Sequence, residues 1–121
     1  MYNMSECIRM VWGEARGCTY EEMILVALVY WNREKSKIRF NKPEKDFLGL
    51  KQNTMINADN EIQKKTFFDV VRACEYAKKL SENNEDDNVL FFNLHGNKPK
   101  TKYEVEKVKK DNFAHTFFKI L

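Results

Sequence analysis

The chain has no apolar run approaching the roughly 18 residues that cross a membrane, so no membrane span is expected. Its opening, M-Y-N-M-S-E, has neither a basic n-region nor an apolar h-region, and no secretory signal is read there. Cysteine is limited to Cys7, Cys18 and Cys74, an odd number in no tight pattern. That argues against a disulfide scaffold and fits synthesis in a reducing compartment. The two histidines, His95 and His115, form no H-x-x-x-H or C-x-x-C spacing with each other or with the cysteines. No metal site is expected, and no organic cofactor is implied. Internal repeats and low-complexity segments are missing. Glycine is scarce too: of four in 121 residues, Gly13 and Gly17 bracket one carboxylate, Glu14.

What is present suits one domain spanning 1–121 with one core. Apolar residues make up 43%, aromatics 13% and charged residues 32%. The net charge of +3 is mild; it suits a polyanionic partner and requires none.

The expected fold is mainly α, of the α+β kind, with about three helices and a short two-stranded antiparallel β element. Met4, Cys7, Ile8, Val11, Trp12 and Ala15 keep one face of a 3.6-residue period, which predicts a helix over 4–16. Asn3 or Ser5 can cap it, and Gly17 can stop it in the left-handed conformation. Thr19-x-x-Glu22 has capping-box spacing and predicts a second helix to about residue 36. Its middle, M-I-L-V-A-L-V-Y-W, is apolar all round and should lie buried. Residues 37–60, broken by Pro43 and Gly49, read as irregular chain that could wall a groove. Thr66 can open a third helix, with Asp69 as a capping acid, ending in the turn-prone S-E-N-N-E-D-D-N. V-L-F-F-N (89–93) and F-A-H-T-F-F-K-I-L (113–121) read as strands joined by a long basic loop.

Glu14 is the first candidate for chemistry. A glutamate in a last helical turn faces the negative end of the dipole, and on an apolar helix it is partly desolvated. Both disfavour its charged form and suit it to donate a proton. Gly13 beside it would clear space for a bulky ligand. The plainer alternative is an ion pair with Arg16 or Arg9.

The run V-W-G-E-A-R-G (11–17), followed by V-A-L-V-Y-W-N-R (26–33), resembles the SleB/CwlJ-type cell-wall hydrolases. L-F-F-N (90–93) and H-T-F-F (115–118) are similar to two later blocks of that family, in the same order. Trp12 stands where that family usually has tyrosine, and residues 37–60 match poorly. The resemblance implies a small lysozyme-like fold that cleaves peptidoglycan between N-acetylmuramic acid and N-acetylglucosamine, acting at the bacterial cell wall. It implies Glu14 as the catalytic acid. Glycoside hydrolysis normally needs two carboxylates. No second one visibly pairs with Glu14: Glu21 and Glu22 read as helix-cap residues, and Asp46, Asp59 and Glu61 lie in or beside the unplaced segment 37–60. A one-glutamate lytic transglycosylase fits better, in which Glu14 protonates the glycosidic oxygen and then takes a proton from the muramic 6-hydroxyl.

Candidate substrate-binding residues are Trp12, Asn32, Phe92, Asn93, His115 and Phe117. Asn32 could bond substrate, fix the loop carrying Glu14, or cap its own helix. Phe92 offers a face for a pyranose and Asn93 an amide for N-acetyl groups. Arg16 reads as a fold-holding residue. The lysines of 98–110 read as solvated surface or as attraction for anionic wall polymers. Two rivals differ in class. One is a catalytically inactive relative that binds peptidoglycan or protein. The other is a small basic nucleic-acid-binding domain, disfavoured because acids are interspersed almost everywhere and the second helix is too apolar to enter a groove.

Overall fold

The computed structural model describes residues 2–94, 96–108 and 112–121. Among them lie five helices and a three-stranded antiparallel sheet, an α+β arrangement. None of the helices is long and apolar enough to cross a membrane.

Helix α1 (Met4–Ala15) starts where Asn3 accepts a hydrogen bond from the Glu6 amide at 2.8 Å. Of the apolar stripe read from the sequence it buries Cys7, Val11, Trp12 and Ala15, leaves Met4 and Ile8 half-buried, and adds Met10. Its exit differs from expectation. Arg16 closes it in the ordinary right-handed region and Gly17 is not left-handed; the Cys18 amide bonds Ala15 O at 2.9 Å instead. Helix α2 (Tyr20–Lys35) follows from its Thr19 cap, 3.2 Å from the Glu22 amide. Residues 25–33 of α2 are buried on every side, packed between α1, α5 and the sheet. Each large apolar side chain so buried contributes roughly 1.5–3 kcal/mol. Trp31 Nε1 donates to Cys74 O at 3.1 Å, and the Tyr30 hydroxyl donates to Glu6 at 2.7 Å.

The segment read as irregular contains two one-turn helices, α3 (Pro43–Asp46) and α4 (Leu48–Lys51). Pro43 opens α3 rather than breaking the chain, because a missing N–H costs nothing at a first helical position. Helix α5 (Glu61–Glu82) begins five residues before Thr66. Asn60 caps it by accepting from the Gln63 amide at 2.9 Å, while the Thr66 hydroxyl donates back to Ile62 O. Asp69 caps nothing and instead pairs with Lys65 across one turn at 3.7 Å.

The β element has three strands, β1 (Phe91–Leu94), β2 (Val105–Lys107) and β3 (His115–Ile120), in the order β1-β3-β2. The added strand, β2, comes from the basic loop. Phe91 pairs with Phe118, Leu94 with His115, and Val105 with Ile120.

Candidate active-site groove

Where α1, the α3–α4 segment and the sheet meet, an open groove of about 650 Å³ forms. Glu14, Phe47, Phe92, Asn93 and His115 line it, with Lys98 and Lys100 on the loop after β1.

Glu14 is set by a backbone contact. A Cβ built on Gly13 would stand 2.6 Å from Gly49 Cα, so α1 and α4 meet without side chains between them. Gly13 therefore makes room for Gly49 and not for a ligand. The close approach carries the Gly49 N–H to Glu14 Oε2 at 2.9 Å. One carboxylate oxygen is held, and Oε1 has no hydrogen-bond donor among the described residues. The alternative pairing of Glu14 with Arg9 or Arg16 is not made. Arg16 bonds Trp12 O at 3.0 Å and lies over the Trp12 ring, as its fold-holding reading expected.

Phe92 stacks on Phe47 with ring centroids 5.8 Å apart and planes 15° from parallel. It also meets His115 edge-on at 5.2 Å. Asn93 donates to Asn97 O at 3.0 Å, which folds the following loop along the groove. A second carboxylate, Asp46, also lines the groove, but Arg33 and Asn41 hold it at 3.0 and 3.1 Å. Arg33 is itself fixed, donating to Leu90 O and lying against the rings of Phe40, Phe47 and Phe91.

The residue missed most plainly is Glu22. Only half of the capping box forms: Thr19 accepts from the Glu22 amide, while the Glu22 carboxylate turns to β3. It is 2% exposed. Its Oε1 accepts from the Ala114 amide at 3.2 Å. Its Oε2 accepts from the His115 amide at 2.9 Å and lies 2.6 Å from His115 Nδ1. Burial pushes this carboxyl upward, but the His115 ring and amide and the Ala114 amide outweigh it and hold Glu22 below the usual carboxylate range. A carboxylate accepts only, so Nδ1 carries the proton, and in the neutral ring the lone pair sits on Nε2. Nε2 makes no hydrogen bond to any described residue, and the ring lines the groove. The T-x-x-E spacing hid this role, because the partner lies 93 positions away.

Cys18 joins this cluster; one donor atom each from Cys18, Glu22 and His115 falls within 4.8 Å of the others. Burial first, and then the adjoining Glu22 carboxylate, push the Cys18 thiol up to about 11, so it stays protonated at neutral pH. Hydrogen bonds, with both Glu22 oxygens already accepting, organise this group. His95 lies outside the described residues.

Three expected substrate contacts fall elsewhere. Asn32 is fully buried and its amide is fully used. It donates to Asp86 at 2.6 Å and Val89 O at 3.0 Å and accepts from the Ser81 hydroxyl at 2.6 Å. It ties α2 to the end of α5 and the following loop, and is not a groove residue. Trp12 points into the core, 3% exposed, with Nε1 donating to Met55 O and its ring against Phe67. Phe117 is fully buried between Phe92 and Phe113. Glu14, Phe92, Asn93 and His115 do share the groove.

Comparison with family models, with curated proteins and with solved structures finds no match to this chain.

Proposed function

We propose that this chain is a small lysozyme-like enzyme that cleaves the glycan strand of peptidoglycan between N-acetylmuramic acid and N-acetylglucosamine, as a lytic transglycosylase. The observation that carries the reading is Glu14. Its carboxylate is oriented by the Gly49 amide, leaves Oε1 without a donor among the described residues, and lines an open groove together with the half-buried Phe92. Such a groove suits a chain of sugar rings: an aromatic surface takes the apolar face of a pyranose, and the Asn93 side chain offers polar contacts to an acetamido group. Protonated Glu14 gives its proton to the glycosidic oxygen as the C1–O bond breaks. In the one-carboxyl form of the reaction, its carboxylate then takes the proton of the muramic 6-hydroxyl as that oxygen closes on C1.

The test is a digest of purified peptidoglycan by wild type and Glu14→Gln, with released fragments resolved by mass spectrometry. Anhydro-muropeptides from wild type and none from the variant are expected. Fragments with reducing ends would replace ring closure by hydrolysis. No release from several wall types would end the enzymatic reading in favour of a binding protein.

A further inference from the structure

Breaking a glycosidic bond requires a proton to be given at one oxygen and another to be taken from the attacking hydroxyl. The one-carboxyl form assigns both transfers to Glu14. Yet the groove holds a second group built for proton transfer. His115 Nδ1 lies 2.6 Å from a buried Glu22 oxygen, and two backbone amides hold that carboxylate in place. The ring is also fixed sideways by the edge contact with Phe92. What remains is an imidazole whose Nδ1 is set by a negative charge and whose Nε2 meets no hydrogen-bond partner among the described residues. That is the arrangement of a general base and the group that orients it.

We propose that His115 is the general base of the groove, taking the proton of the attacking hydroxyl at Nε2, with Glu22 as its positioning residue. The assignment rests on the glycan-cleaving reading. In the step itself, Glu14 delivers its proton to the glycosidic oxygen and the C1–O bond breaks. The attacking oxygen bonds to C1 and its proton passes to Nε2. The resulting imidazolium is neutralised through Nδ1–H by Glu22. Solvent then returns a proton to Glu14 and removes one from His115, so the cycle closes with no net change in protons.

Glu22 thereby accounts for a carboxylate whose placement makes little sense as a cap. A cap residue gains nothing from being buried away from its own helix terminus, whereas an orienting carboxylate must be dry and immobile.

The experiment is a steady-state digest by wild type, His115→Ala and Glu22→Gln, each checked for folding by circular dichroism and thermal melting. His115→Ala should lower kcat by about 100-fold or more with KM changed far less. Free imidazole should restore part of that kcat, because the ring it replaces lines the groove. Glu22→Gln should lower kcat by a smaller factor that imidazole does not restore. Should His115→Ala melt early, His115→Gln carries the same comparison of kcat with KM. If wild type cleaves and folded His115→Ala keeps kcat within about threefold, or loses activity that imidazole cannot restore, the assignment is overturned and Glu14 works alone. If wild type releases nothing, the glycan-cleaving reading falls first and this assignment falls with it.

Discussion

Gly13 and Gly49 touch backbone to backbone, with a Gly13 methyl destined to fall 2.6 Å from Gly49 Cα and 3.0 Å from Gly49 O. Neither neighbouring atom belongs to a side chain that can swing aside. Gly13→Ala should therefore cost about 1–3 kcal/mol of stability, the range for overpacking. It should also lower kcat/KM further than stability explains, because the same contact delivers the Gly49 amide to Glu14. Gly17→Ala is the control. Nothing lies within 4 Å of its Cβ and its backbone is not left-handed. There the lost freedom of the unfolded chain should stabilise by about 0.4–1 kcal/mol. Urea unfolding of both variants decides the matter; equal melts would refute the close-packing account.

Glu22 should make the fold sensitive to acid. Its carboxyl titrates below the ordinary value of 4.5 in the folded chain, so the folded state holds fewer protons than the unfolded one in that range. The stability it contributes is fully present above the unfolded value and is lost as pH falls through the lower, folded one. Wild type should exceed Glu22→Gln in stability at pH 7, and the gap should shrink as pH drops from about 5 toward 3. A gap that stays constant across this range would contradict the assignment of charge to Glu22.

Asn32→Ala should damage the fold and spare the groove. It removes three hydrogen bonds at a fully buried position and takes the Asn32 acceptor from the Ser81 hydroxyl, while Asp86 keeps the Asn88 amide. A loss of about 2–4 kcal/mol is expected from the unpaired polar groups and the space left behind. Fragment release per folded molecule should stay near wild type. A raised KM with unchanged stability would return Asn32 to the substrate.

Lys98 and Lys100 line the groove and belong to no ion pair among the described residues. Sedimentation with insoluble peptidoglycan should fall as salt rises from about 0.01 to 0.3 M, as screening shortens the reach of exposed charge. The double variant K98Q/K100Q should bind less at low salt and show a flatter salt dependence. Identical curves for the two proteins would assign the lysines to solvated surface alone.

The helical half of the fold was legible because its signals are local. Asn3 and Thr19 cap where their side chains predict, and most of the stripe of α1 and of the apolar run of α2 is buried. The start of α5 was displaced because its first turn, E-I-Q-K-K, is polar and carries no period; only the Asn60 cap marks it. Strand β2 has three residues, two of them charged, and forms because β3 offers it an edge. The groove was legible in part. Glu14, Phe92, Asn93 and His115 come from motif-bearing segments. The wall made by Phe47 and Asp46 was hidden behind Pro43 and Gly49, which look like breakers yet sit inside one-turn helices. Glu22 was hidden by a plausible local role, and contact across 93 positions leaves no trace in spacing.

Helix α2 also serves as a ruler. Glu22 near its start grips the sheet at His115, and Arg33 near its end grips the chain at Leu90 and reaches across to Asp46. Eleven residues separate the two grips, about 16 Å of helix and just over three full turns, so both emerge on the same side. The spacing between the sheet and the Asp46 wall is thus written into the length of one rigid rod. Inserting a single residue between Glu22 and Arg33 would turn the second grip by about 100° and move it out of reach. The groove could tolerate many changes in its lining more easily than one change in the count of residues beneath it.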